Sequence, residues 1–190
     1  MEPAVEERLT LAEYNKLEEE SDTRYEYHQG EVFAMAGGDP KHSAIANSMG
    51  RLLGNVLLSK NCTVFNSDLK YRIDSLDKSL YPDVSVVCGT PERSKNDTNA
   101  LTNPVLLVEV LSKSTASYDR GNKFHYYSQL SSLREYVLVE QDAWKVETRY
   151  RNAPDQPWKM DWFEGEAAVA LRSLNITLPM AELYRGTEAL

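Results

Sequence analysis

A mixed α/β or α+β fold follows from three observations on the 190-residue sequence. Residues 41–60 place Ile45, Met49, Leu52, Leu53, Val56 and Leu57 at helical spacing. Residues 63–73, 82–87, 104–112 and 134–140 are short runs rich in strand-forming residues, separated by polar or turn-rich segments. A helical stretch, 117–130, falls between the last two runs, so the core order is helix, three strands, helix, strand. That order does not alternate as a purely parallel sheet would.

Ahead of this core, Thr10 is placed to cap a short amphipathic helix in residues 10–20, with Leu11, Tyr14 and Leu17 on one face and Glu13 in the capping-box position. RYEYHQGEVFAMAGG then reads as two strands joined at Gln29-Gly30, with Glu26 on the first strand and Gly37-Gly38 as the break. Pro40 stands near the start of the long helix. Beyond the core, WKVETRYR and WKMDWF alternate like a hairpin around NAPDQP, and AVALRSLNITLPMAELY supplies a last strand and a short helix. There is no internal repeat, low-complexity tract or long linker, so residues 1–190 are expected to be one domain with its core at about 40–140.

Composition narrows the function classes. A charged fraction of 26% and a hydrophobic fraction of 42% suit a soluble globular protein. The net charge of −8 lowers the expectation of nucleic-acid binding without removing it, because carboxylates that hold a divalent cation lower the total themselves. Cys62 and Cys88 have no CxxC or zinc-type spacing and read as two free buried thiols. No apolar run approaches a membrane span, and MEPAVEERLT lacks an export-signal pattern, so a cytoplasmic protein with no membrane partner is expected.

Two acids stand inside core-like strands, Asp83 in YPDVSVV and Glu109 in NPVLLVEVLS. If the two strands pair antiparallel, the loop between them centres near Asn96, and opposed positions sum to about 192, as 83 and 109 do. Opposed carboxylates repel unless a positive charge lies between them, and Mg²⁺ is held by one or two such groups. For Asp83 alone, an ordinary strand end at the surface or a nearby Lys or Arg partner is the better explanation; Glu109, flanked by apolar residues on both sides, demands compensation. Asp119, Lys123 and Tyr127 recur at four-residue intervals on the next helix, which reads either as a surface salt bridge or as a face aimed at the acids.

Together PDVSVV, LLVEVLSKST, DRGNKFHYY and LREYVLVE resemble the Uma2 family, once a domain of unknown function and described as candidate restriction endonucleases of the PD-(D/E)XK superfamily. RYEYHQGEVFAMAGG and His42 in PKHSAIAN resemble its N-terminal motif, so the resemblance runs from about Leu9 to Leu183. It implies a restriction-endonuclease-like core with three antiparallel strands, an N-terminal helix-hairpin and a C-terminal β-hairpin extension. It also implies a Mg²⁺- or Mn²⁺-dependent endonuclease, with DNA ahead of RNA as substrate. Asp83 and Glu109, with the Val110 carbonyl, would be the metal ligands. Leu111 stands where the superfamily carries its catalytic lysine, and Lys123 would replace it from the following helix, with Lys113 a nearer but less well-matched candidate. Glu26 would add a carboxylate, and Tyr127 would order Lys123 by a hydrogen bond.

His42, at a helix start, reads more readily as structural than as catalytic, and His28 and His125 carry less still. Trp144, Trp158 and Trp162 suit packing rather than base stacking. A homodimer suits a nuclease that cuts both strands. The competing reading is a nuclease-like domain that binds nucleic acid or a protein partner without cutting, favoured by Leu111, by the acidic total and by the absence of a recognition helix, zinc finger or basic arm.

Overall fold

Thr10 caps α1 (Leu11–Glu19) by the expected capping box with Glu13. The hairpin β1 (Tyr25–His28) and β2 (Glu31–Ala34) turns on Gln29 and Gly30 with φ of 53° and 95°, the left-handed pair that a two-residue hairpin loop needs. The computed structural model describes residues 3–4, 7–35 and 37–190. Met1, Glu2, Val5 and Glu6, on which the reading against an export signal partly rests, lie outside the described residues, as does Ala36 of the glycine-rich break.

Asp39 caps the longest helix, α2 (Pro40–Leu57), with Pro40 in its first turn. The chain continues through β3 (Cys62–Asn66), β4 (Lys70–Ile73), β5 (Lys78–Leu80), β6 (Val84–Cys88), β7 (Ala100–Leu101) and β8 (Leu106–Leu111). A helical run follows: α3 (Ala116–Tyr118), a π turn (Asp119–Lys123) and α4 (Phe124–Tyr127). After it come β9 (Glu135–Glu140), β10 (Lys145–Tyr150), β11 (Lys159–Glu164), β12 (Ala168–Leu171), β13 (Ile176–Pro179) and α5 (Met180–Leu183).

Six strands form one sheet in the order β11-β10-β9-β8-β6-β3, and β2-β1-β5-β4-β7 form a second. In the first, β3, β6 and β8 are successively antiparallel, and β9 returns parallel to β8 after the helical run. This is the expected mixed fold with its helix, three antiparallel strands, helix and strand. The β10–β11 hairpin extends the same sheet.

Period-two alternation divides β8 between two cores. Leu106, Val108 and Val110 pack with Ile45, Met49, Leu53 and Leu57 of α2, whereas Leu107 and Leu111 pack with Tyr71 and Leu80 of the second sheet and with Tyr127. Glu109, between Leu107 and Leu111 in that alternation, therefore faces the helical run. Val84 pairs with Val108, Ser85 with Leu107 and Val86 with Leu106, which is the register read from the loop centre.

Four local readings are corrected. Residues 63–73 are not one strand: Asp68 N–H bonds the Asn66 side chain at 3.1 Å, the chain turns, and β3 and β4 enter different sheets. The helix expected over 117–130 begins at Ala116, ends at Tyr127 and is interrupted by the π turn. The C-terminal segment carries two strands, not one, because Asn175 takes φ of 50° and reverses the chain between β12 and β13. Cys62 and Cys88 are not free or fully buried; they are half-buried register partners across β3 and β6 and form a disulfide.

Candidate active site

The site forms where β6 begins and β8 ends. Pro82 has no amide hydrogen, so the ladder cannot continue through its backbone N. Asp83 continues it instead: its N–H donates to the Val108 carbonyl at 3.1 Å, and its Oδ2 accepts the Val110 N–H at 2.7 Å. The Val110 N–H and carbonyl point to the same side of the strand, so both face Asp83. Asp83 and Glu109 are consecutive with the paired positions of this ladder and lie side by side at its end.

The π turn brings Lys123 to the acids. Its Nζ lies 2.9 Å from Glu109 Oε1, 3.4 Å from Glu26 Oε1 and 3.9 Å from Asp119 Oδ1, and donates to the Tyr81 carbonyl at 2.9 Å. Lys123 and Glu109 are only 6% and 3% exposed, so this is a buried ion cluster rather than a surface salt bridge. Lys123 is the cation paired with the buried Glu109, and the same ammonium also serves Glu26, Asp119 and the Tyr81 carbonyl.

Three carboxylates surround one amine, and the charges do not balance. Burial pushes Glu109 well above the usual carboxylate range despite Lys123, with Asp83 and Asp119 pushing the same way. Burial raises Asp119 as well. Burial opposes the charge on Lys123, but Glu109, Glu26 and Asp119 outweigh it and hold the ammonium well above its ordinary value. Glu26 is buried too, yet it is held low by Lys123, by His28 and by the Tyr118 hydroxyl, which donates to its Oε2 at 2.9 Å.

His42 reaches the other acid. Its Nε2 lies 3.2 Å from Asp83 Oδ2, and the Val110 carbonyl acts on the ring's pKa in the same direction as Asp83. The bond to Asp83 raises its pKa against the effect of burial. Gly38 makes room for the ring, since a Cβ there would stand 2.6 Å from His42 Nδ1.

Asp83, Glu109, Lys123 and Glu26 are thus brought together. Tyr127 is adjacent but does not bond Lys123: its hydroxyl is fully buried with no hydrogen-bond partner among the described residues, a correction to its expected ordering role. Lys113 is exposed on the turn after β8, and Leu111 is buried in the second core. His42, His28, Tyr118 and the Tyr81 carbonyl also contact these side chains, and the sequence pattern does not single them out. A histidine in the third position of a helix carries no pattern of its own, and Tyr118 and Glu26 are 92 residues apart.

A divalent cation fits this donor set. Among the described residues no group of three His, Cys, Asp or Glu side chains is arranged as a metal cage. Mg²⁺ needs no cage; one or two carboxylates and waters suffice, and Asp83, Glu109 and the Val110 carbonyl are hard oxygen donors. The surplus of carboxylates around a single lysine is the feature that a cation would satisfy.

The family described as "Putative restriction endonuclease", Uma2, matches residues 11–181. The chain belongs to the Uma2 family. Two proteins of Synechocystis sp., both described as uncharacterized, are 35% identical to this Uma2 chain: one over 179 residues, 94% of this chain and 93% of its own, the other over 160 residues, 84% and 90%. The crystal structure of a "putative nuclease belonging to DUF820" from Anabaena variabilis superposes with a TM-score of 0.73, covering 93% of the Uma2 chain and 97% of its own, at 22% identity. That likeness establishes a shared nuclease-like fold.

Proposed function

We propose that this Uma2 chain is a metal-dependent endonuclease that hydrolyses phosphodiester bonds, with DNA as its substrate. The observation that carries the reading is Lys123, which reaches within 2.9 Å of Glu109 although Leu111 fills the usual lysine position. A lysine supplied from the neighbouring helical run completes an Asp, Glu and Lys set.

Asp83, Glu109 and the Val110 carbonyl would hold Mg²⁺ or Mn²⁺. When bound, the ion polarises the scissile phosphate and lowers the pKa of a water. Lys123 keeps its proton at neutral pH and offers it as a hydrogen bond to the attacking water or to charge developing on the phosphate oxygens. Tyr81 and Glu109 fix the direction of that ammonium. Glu26, itself anchored by Tyr118 and His28, balances the lysine charge. His42 and the Val110 N–H hold Asp83 Oδ2, which fixes the carboxylate plane.

The chain acts in this reading as one domain, and a homodimer would place two such sites on opposite strands. No helix among the described residues is long and apolar enough to cross a membrane. A cytoplasmic setting now rests on the DNA substrate alone, since the bonded Cys62 and Cys88 are unusual there. The rival reading, a nuclease-like domain that binds nucleic acid or protein without cutting, is favoured by the three carboxylates that already engage Lys123.

Incubating the purified protein with Mn²⁺ or Mg²⁺ and linear, supercoiled and single-stranded DNA, and with RNA, decides between them. Cleavage that disappears in Asp83→Ala is expected. Metal binding without turnover on any of these substrates would favour the rival.

A further inference from the structure

Two side chains outside the acid site grip the turn that carries its lysine. Tyr136 of β9 and Arg149 of β10 are register partners across the ladder, so they stand side by side on one face of the sheet. The Tyr136 hydroxyl donates to the Asp119 carbonyl at 3.0 Å, and Arg149 Nη1 donates to the Arg120 carbonyl at 2.7 Å. We propose that Tyr136 and Arg149 are positioning residues, which hold the π turn (Asp119–Lys123) open and so keep Lys123 against Glu109. In its consequence for cleavage the proposal rests on the nuclease reading.

Glu26 shows why the width of the turn matters. Tyr118 donates to its Oε2 at 2.9 Å and Lys123 Nζ lies 3.4 Å from its Oε1, although Tyr118 and Lys123 are five residues apart in the chain. In a regular α-helix that spacing turns two side chains about 140° away from each other. A π turn, bonded from i to i+5, brings them back toward one side. With Tyr118 in place, closing the turn to α geometry would swing Lys123 off Glu26 and off Glu109 together.

Widening also disturbs the backbone. It draws carbonyls away from the N–H groups that an α-helix would bring to them, and a buried carbonyl needs a donor. Asp119 and Arg120 open the turn, and theirs are the two carbonyls that Tyr136 and Arg149 fill. Both donors are themselves fixed. Tyr136 is fully buried, with its ring 5.4 Å from that of Phe124. Arg149 Nε donates to the buried Glu147 Oε1 at 2.6 Å, and its guanidinium lies 4.4 Å from the Phe124 ring. Neither side chain bonds Asp83, Glu109 or Lys123, so the pair acts through the turn rather than on the reacting atoms.

The test reads the turn and the reaction separately. Tyr136→Phe removes one donor and keeps the ring, while Arg149→Lys keeps the charge beside Glu147 but lacks the fork that also reaches the Arg120 carbonyl. Amide hydrogen exchange is followed in metal-free protein, and each variant is expected to exchange faster over residues 119–124, with β6 and β8 unchanged. With DNA and Mn²⁺, each should lower kcat by up to about 100-fold while KM and Mn²⁺ affinity keep their wild-type values, because Asp83, Glu109 and Val110 are carried by the sheet. Wild-type exchange in both variants would overturn the proposal whether or not the protein cuts DNA. Faster exchange with an unchanged kcat, or with Mn²⁺ affinity falling in step with kcat, would overturn it and leave the nuclease reading standing. Faster exchange in a protein whose wild type cleaves nothing would overturn the nuclease reading and leave the grip on the turn intact.

Discussion

Asp83 and Glu109 stand next to one another at the end of one antiparallel ladder, yet opposite sides of the protein hold them: His42 of α2 reaches Asp83 at 3.2 Å, and Lys123 of the π turn reaches Glu109 at 2.9 Å. The sheet supplies proximity, and each helix supplies a positive or donor group to one acid. Either acid can therefore be perturbed from its own side, which makes the two contributions separable.

Replacing Lys123 tests the buried cluster. Lys123→Met preserves most of the side-chain volume and removes the charge, leaving Glu26, Glu109 and Asp119 without their shared cation. The expected loss is about 3–5 kcal/mol in denaturant unfolding. The loss should shrink on acidification, since protonating the acids removes their repulsion. Adding Glu109→Gln to Lys123→Met should recover part of the stability without recovering cleavage. A Lys123→Met protein of wild-type stability would mean that the cluster is not held as described.

The pH dependence has a defined sign. Glu109 has a folded pKa above its unfolded value, so it binds more protons when folded, and its effect is a stability that falls as pH rises from about 4.3 through the raised value. His42 acts in the same direction, contributing below about 6.5 and losing that contribution as pH rises through its raised pKa. Glu26, held low, contributes above about 4.3 and loses its stabilisation as pH falls through its lowered value. Maximum stability without metal is therefore expected in mildly acidic solution. Mg²⁺ should raise the melting temperature chiefly above that maximum, where protons no longer compete for the carboxylates. A melting temperature that is flat from pH 5 to 8 and unmoved by Mg²⁺ would contradict both the raised Glu109 and its availability to a cation.

The legible parts of the molecule are those in which one local signal dominates. The Asp83–Glu109 register could be read because the chain between the two strands reverses symmetrically enough that its midpoint sets the pairing. The break between β3 and β4 was harder to read: Asn66 and Asp68 make a local turn, but KYRI after it looks like a continuing strand, and the separation is fixed by tertiary contacts. Lys70 is buried between Glu18 at 2.7 Å and Asp97 at 2.9 Å, and Arg72 is buried against Asp74 and Asp77. The π turn was equally hidden, because Asp119, Lys123 and Tyr127 keep four-residue spacing while the backbone widens through Asp119–Lys123. Lys123 could be found without knowing this; the failed bond to Tyr127 could not be foreseen.

Gly38 offers the most selective probe of the Asp83 side. A methyl group at this position would stand 2.6 Å from His42 Nδ1, but the obstacle is a ring at the end of a rotatable side chain rather than backbone. Gly38→Ala is therefore expected to turn His42 away from Asp83 at little cost in stability. Its pKa, followed by NMR, should return toward the ordinary histidine value as the Asp83 hydrogen bond is lost. Asp83 would retain the Val110 N–H at 2.7 Å but lose its second anchor, so metal affinity should fall by about 10–100-fold if the ring orients the carboxylate. His42→Asn, which restores a donor of shorter reach, should recover part of that affinity when Gly38 is intact. Unchanged metal binding alongside a shifted His42 pKa would show that the histidine only packs beside Asp83 and does not position it.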